Sequence, residues 1–281
     1  MNYAFEGYKL TNRIGSLIAP NWVAKNASIK FLSPSRFAIK AWEQEAEQVG
    51  TRFNLSEQIS AIRWSNHSAA DDLREGNKQI LLVHGWESRA TQMYGLVKGL
   101  VKQGFTVCAV DMPGHGHSFG DTSDAYLFSQ TVKLAQQKLG HFHAIIGHSM
   151  GAGAAAIAVG QGVTCDKLVL ISGPSSIENV LRRFSGFVGL NKKTSNKFIG
   201  FIEQHVGVPS TDLDASKLLQ ACEIPTLLIH DENDIEMPIS ESKQLAAVFN
   251  QSELFVTKGL GHRKILKSAD VLTKISDFVN K

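Results

Sequence analysis

The sequence predicts an α/β protein built on a doubly wound, mostly parallel sheet with a small helical lid insertion. Three observations predict it. From Gln79 onward, short apolar runs alternate with stretches of helical period. Those apolar runs lack two-residue alternation, as expected of strands buried on both faces of a parallel sheet. One connection, between Ser172 and Ile224, is far too long for an ordinary link and must carry structure of its own.

The chain of 281 residues is 43% hydrophobic and 20% charged, which is ordinary globular usage and excludes a disordered or fibrous protein. A net charge of +3, without a basic stripe interleaved with aromatics, gives no reason to expect nucleic acid as a partner. The three cysteines (Cys108, Cys165, Cys222) are scattered and odd in number, so neither a disulfide framework nor a metal knuckle is implied. The start, MNYAFEGYKL, lacks a basic region followed by an apolar core, and no apolar run approaches roughly 18 residues. The expectation is a protein without a membrane span, in the cytoplasm.

In chain order, residues 1–33 read as turns and short strands with no sustained period. Ser33-Pro34-Ser35 offers a cap for a helix whose stripe is Ala38, Ala41, Trp42, Ala46 and Val49, closed by Gly50. Residues 59–64 read as a strand and 65–77 as a polar loop. QILLVH (79–84) opens the regular rhythm, and Met93, Leu96, Val97, Leu100 and Val101 form a helical stripe stopped by Gly104. FTVCAV (105–110) is a strand, and Ala125, Phe128, Val132, Ala135 and Leu139 mark a helix ended by Gly140. FHAII (142–146) is a strand followed by the small-residue helix GAGAAAIAV (151–159). KLVLIS (167–172), IPTLLIH (224–230) and ELFVT (253–257) complete the strands, with helices near 238–249 and 268–279. Residues 1–76 are expected to be an extension packing on a domain of residues 77–281, with residues 174–215 as the lid. The lid's Phe184, Phe187, Val188, Phe198, Ile199, Phe201 and Ile202 recur at helical spacing.

Two pentapeptides match G-x-S-x-G: residues 116–120 and residues 147–151. Context separates them. Ser149 follows a buried strand directly and precedes a helix directly, the sharp turn that exposes a serine hydroxyl at a helix N-terminus. Ser118 sits in a Gly/His/Pro loop past its strand, so Ser149 is the candidate nucleophile. The N–H of Met150, at the start of that helix, is placed to stabilise an oxyanion. A serine hydroxyl needs a base, and a base needs an orienting carboxylate. Ten histidines compete for the role of base. The acid is sought after strand 224–230, where Asp231, Asp234 and Glu236 are all available.

Five blocks, LLVHGW (81–86), VDMPGHGHS (110–118), IIGHSMG (145–151), LLIHDENDIEMP (227–238) and GLGHR (259–263), make residues 77–281 resemble the α/β-hydrolase superfamily, especially its lidded esterase-like members. The resemblance implies the α/β-hydrolase fold, Ser149 as nucleophile, His262 as base and Asp234 as acid. The family usually has glycine where this chain has Asp231, which leaves Asp231 as a rival carboxylate. The resemblance further implies that the Trp86 N–H is the second oxyanion donor, and that His84, Gly85, Trp86 and His148 border the substrate. The expected activity is hydrolysis of carboxylic esters with short to medium acyl chains, with no cofactor and no metal. Alternatives are a thioesterase, amidase or C–C bond hydrolase using the same residues, or a catalytically silent binding protein of the same fold.

Overall fold

The structure is a computed structural model that describes residues 3–66 and 78–281; most of the stretch read as a polar loop, residues 67–77, lies outside the described residues. Among the described residues, eight strands form one sheet: β1 (Thr51–Asn54), β2 (Ser60–Trp64), β3 (Gln79–Val83), β4 (Thr106–Val110), β5 (Phe142–His148), β6 (Cys165–Ile171), β7 (Thr226–Asp231) and β8 (Ser252–Thr257). Their spatial order is β1-β2-β4-β3-β5-β6-β7-β8. From β4 to β8 every pairing is parallel, and β1 and β2 add an antiparallel edge. The chain runs outward from β3 to β4, then returns to place β5 on the other side of β3. That reversal opens a crevice at the strands' carboxyl ends, where ligands bind in open α/β sheets.

Among the described residues, twelve α-helices accompany the sheet: α1 (Tyr3–Ile18), α2 (Pro20–Leu32), α3 (Ala41–Val49), α4 (Tyr94–Lys102), α5 (Ala125–Leu139), α6 (Met150–Gly160), α7 (Ile177–Phe187), α8 (Lys192–Val206), α9 (Ala215–Leu218), α10 (Ser240–Ala246), α11 (Gly261–Lys264) and α12 (Ala269–Asn280). Strand residues alternate between two cores. Leu81, Val83, Ile145, Leu168, Leu170 and Leu228 pack with α5 and α6. Ile80, Leu82, Ile146, Val169, Leu227 and Ile229 pack with α4 and α12. Both faces are covered, which is why the strands read as unbroken apolar runs. Helix α5 starts where the Asp124 carboxylate accepts from Leu127 N–H at 2.8 Å, and ends at Gly140 with φ 86°.

Two local expectations are corrected. Residues 3–32 are two helices, not turns and short strands. The stripe that would have announced α1 is inverted, with Asn12 and Ser16 buried while Leu10, Ile14, Leu17 and Ile18 face out. The buried face of α2 is made mostly of small residues: Val23, Ala24, Ala27 and Ser28. The helix expected from Ser33 begins only at Ala41, where the Glu43 carboxylate accepts from Lys40 N–H at 3.0 Å. Residues 34–40 form no helix because they are tied down elsewhere. The Arg36 guanidinium donates to the carbonyls of Gly116, Ser118 and Gly120, and Arg89 donates to the Phe37 carbonyl. The expected strand at 59–64 is β2, and its antiparallel partner β1 carries no apolar run that would announce it.

The insertion after β6 folds as α7 and α8, and α8 packs extensively on α2. The N-terminal helices therefore join the insertion above the sheet's carboxyl edge. At the other end of the extension, Arg52 Nη1 lies 2.6 Å from Oδ2 of Asp111, which is wholly buried at the end of β4. Asp111 also accepts from the N–H groups of Ala90 and His117. Burial pushes the Asp111 carboxyl up, but Arg52 and these donors outweigh it and hold the group below its usual range.

Candidate active site

Ser149 stands between β5 and α6 with φ 56°, a conformation a non-glycine residue holds only under local compulsion, at a cost of about 1–3 kcal/mol. The compulsion comes from close packing of strand and helix. A Cβ on Gly147 would lie 2.5 Å from Ala152 Cα, and one on Gly151 would lie 2.3 Å from the carbonyl oxygens of Val83 and His84. Neither position accepts a side chain. Ser149 N–H is anchored to the Ile171 carbonyl at 2.9 Å, which leaves the half-buried hydroxyl at the crevice.

His262 begins the turn after β8 and is 9% exposed. Its Nε2 lies 2.9 Å from Ser149 Oγ and its Nδ1 lies 2.7 Å from Asp234 Oδ2. An ionised carboxylate only accepts, so Nδ1 carries the proton and Nε2 is left free to accept from the serine hydroxyl. The other Asp234 oxygen accepts from the N–H groups of Glu236 and Met237, both at 2.9 Å. Burial raises the Asp234 pKa, yet the bonds from His262 and these amides outweigh it, and the net shift is downward. Asp234 is thus a fixed anion aimed at His262.

The rival carboxylate serves another purpose. Asp231 accepts from Asn233 N–H at 3.0 Å, Thr257 hydroxyl at 2.8 Å and Leu260 N–H at 2.9 Å. It braces the turn after β7 against the one after β8 without touching the imidazole. Ser118, in the other pentapeptide, is also structural: buried, it donates to the Asp111 carbonyl and accepts from Ser60 N–H.

Two of the expected substrate neighbours hold backbone with their rings. His84 is fully buried, its Nδ1 bonded to the Gly85 carbonyl at 2.7 Å and its Nε2 accepting from Met112 N–H at 3.0 Å. Both nitrogens are spent within the chain, so its ring braces the turn. His148 donates from Nε2 to the His262 carbonyl at 2.8 Å. Burial, reinforced by the nearby His262, pushes the His148 pKa down to about 3, so it is a neutral brace beneath the His262 turn. Gly85 does lie at the site, since a Cβ there would sit 2.9 Å from Ser149 Cβ. That contact brings the following residue, Trp86, beside the serine.

Trp86 and Met150, the residues that follow Gly85 and Ser149, line a narrow cavity of about 20 Å³ together with Phe31, Ile177, Leu181 and Ile202, room for little more than one water molecule. The insertion supplies Ile177, Leu181 and Ile202, of which only Ile202 belongs to the helical spacing read from the sequence. Phe31, from α2, was missed. Its ring stacks on Trp86 at 5.9 Å and meets Phe184 and Phe198 edge-on at 4.9 and 5.8 Å. The spacing of Val23, Ala24, Ala27 and Phe31 on one helical face was the available signal. The insertion's bases do not enter this cavity: Arg182 pairs with Glu178, and Arg183 pairs with the buried Glu241.

A serine held at a strand-to-helix elbow, with an acid and then a histidine following in chain order, defines the class of protein to which comparison then points. The model of the α/β hydrolase fold matches residues 78–201. The AB hydrolase superfamily protein YisY of Bacillus subtilis is 26% identical over 254 residues, spanning 75% of this chain and 94% of that protein. Among solved structures, the Pyrococcus furiosus esterase Pf2001 superposes with a TM-score of 0.61 at 19% identity, covering 89% of this chain and 96% of that one. A Bacillus anthracis bromoperoxidase superposes with a TM-score of 0.59 at 18% identity, covering 83% and 100%. Residues 78–201 thus match the α/β hydrolase fold, and over most of its length the chain is similar to proteins of that superfamily. Among the described residues, no helix is long and apolar enough to cross a membrane.

Proposed function

We propose that the protein is a serine hydrolase that cleaves carboxylic esters of short to medium acyl chains. The observation that carries this reading is the contact of 2.9 Å between Ser149 Oγ and His262 Nε2, with Asp234 on the imidazole's far side. Ser149 attacks the acyl carbonyl while His262 takes its proton, and Asp234 stabilises the imidazolium. The N–H groups of Met150 and Trp86 receive the charge that develops on the carbonyl oxygen. His262 then protonates the departing alcohol, and water releases the acid from the acyl-enzyme by the same route reversed. No step calls on a cofactor.

In this reading α7 and α8 are a lid, and the small apolar cavity beneath them receives the acyl chain. Each methylene buried there contributes at most about 0.8 kcal/mol, so selectivity should climb with chain length and stop when the cavity, once opened, is full. The presence of a bromoperoxidase among the structural neighbours keeps the reaction from being read off the fold alone. Thioesters, amides and carbon–carbon bonds are the alternatives for the same three residues, and a silent binding role is the alternative for the fold. A cytoplasmic setting fits three cysteines that are all free.

The test is a series of p-nitrophenyl esters from acetate to palmitate, run beside a thioester and an anilide. Turnover should be greatest on short or medium esters and absent in Ser149→Ala. A maximum at palmitate would discard the small acyl site, and preference for thioester or anilide would change the reaction.

A further inference from the structure

Residues 1–40 carry six bases, Lys9, Arg13, Lys25, Lys30, Arg36 and Lys40, against one acid, Glu6, in a chain whose net charge is only +3. On α1 the buried residues are Asn12 and Ser16, while Leu10, Ile14, Leu17 and Ile18 are 56%, 51%, 78% and 79% exposed. At about 100° per residue these four share an arc of roughly 100°, opposite Asn12 and Ser16. A helix whose only need was to pack on the protein would present the reverse pattern. Across Ala19, Trp22 is 64% exposed on the first turn of α2, and Ile29 further along is 55% exposed. The exposed Lys25 lies between them on the same side of α2. Leu17, Ile18 and Trp22 thus make the corner between the two helices an apolar prominence.

The corner also has a basic rim. Asn191 Nδ2 and the Thr194 hydroxyl donate to the Ser16 carbonyl at 3.2 and 3.4 Å. These bonds set the first turn of α8 beside the corner, with Lys192 and Lys193 exposed there. Cations at a helix N-terminus oppose the helix dipole, so their placement works against the stability of α8. The insertion's ion pairs to Glu178 and Glu241 use other bases, Arg182 and Arg183.

We propose that this corner docks on an anionic phospholipid surface. The stripe of α1 and Trp22 enter the boundary between headgroups and acyl chains, and Arg13, Lys25, Lys192 and Lys193 meet the headgroup phosphates. An exposed stripe of Leu, Ile and Trp flanked by Lys and Arg is the composition of helices that lie in a membrane interface. The rim supplies attraction that depends on lipid charge and weakens with salt. A second copy of the chain could also cover an apolar face, but a two-fold contact would press this basic rim against its own equivalent. Charge therefore favours lipid. The docking concerns where the protein sits and does not depend on which bond it cleaves.

The test is flotation of the full chain with vesicles of phosphatidylcholine alone and of phosphatidylcholine with phosphatidylglycerol, at low and physiological salt. Wild type should float about tenfold more with the anionic vesicles, and less as salt rises. The variants Leu17→Ser/Ile18→Ser/Trp22→Ser and Lys192→Glu/Lys193→Glu should each lose about tenfold in binding while keeping the wild-type melting temperature. The wild-type lipid and salt dependence decides the matter even if the apolar variant fails to fold. Absence of preference for anionic vesicles, or variants that bind as wild type does, would overturn the proposal. So would a wild-type dimer without vesicle binding that the apolar variant converts to monomer.

Discussion

The Phe31 ring lies 5.9 Å from the Trp86 indole in a stacked arrangement, so a side chain from the N-terminal helices forms part of the wall beside the candidate nucleophile. The helices before the sheet and the insertion after β6 meet at this ring. Replacing it tests both the packing and the proposed acyl site.

Phe31→Ala should lower stability by about 2–3 kcal/mol, below the full cost of a core phenylalanine because the ring is only partly buried. It should also enlarge the cavity and move the preferred ester to longer chains. Urea denaturation with the ester series measures both. An unchanged chain-length profile would detach Phe31 from the substrate site.

Asp234→Asn should lower kcat by about 10³- to 10⁴-fold, because the amide no longer fixes the tautomer that leaves Nε2 free. Asp231→Asn should leave kcat near wild type and cost roughly 1–2 kcal/mol of stability, since it weakens bonds to Thr257 and Leu260. Steady-state kinetics beside denaturation separates the two roles. The opposite ranking of kcat would transfer the acid's role to Asp231.

The rivalry between these aspartates marks where sequence stops being informative. Asp231 ends β7 and Asp234 follows three residues later, and only the fold shows which one faces His262. The parallel strands were legible because burial on two faces leaves unbroken apolar runs, and the elbow was legible because Gly147 and Gly151 have no room for a Cβ. Helix α1 was hidden by burying Asn12 and Ser16 while exposing its leucines and isoleucines, which breaks the link between periodicity and the core. The start of α3 was obscured because Arg36 and the Phe37 carbonyl bind residues distant in sequence. His84 and His148 sit in motif blocks near the serine, but their ring nitrogens are used to hold backbone.

Stability should fall with acid well before the carboxylates titrate. Burial first, then a neighbouring histidine, pushes His115 and His148 down to about 3, against roughly 6.5 in an unfolded chain. Between those values the unfolded chain binds protons that the folded one refuses. Stability is therefore complete above about pH 6.5 and is lost as pH falls toward 3, by about 1.4 kcal/mol per pH unit for each histidine. Asp111 and Asp234, held below their usual range, add losses of the same sign at lower pH. Urea unfolding at pH 7 and pH 5 should show a drop of at least about 2 kcal/mol. Equal stability at the two values would show that these histidines are protonated in the folded protein.

The claim that Ser149 is a nucleophile activated by His262 is tested most directly by a fluorophosphonate probe with mass-spectrometric mapping of the modified residue. Wild type should carry the label on Ser149 and nowhere else. His262→Ala should slow labelling by at least about 10³-fold, and Ser149→Ala should abolish it. A label on Ser118 or another serine, or a folded wild-type protein that takes none, would contradict the account.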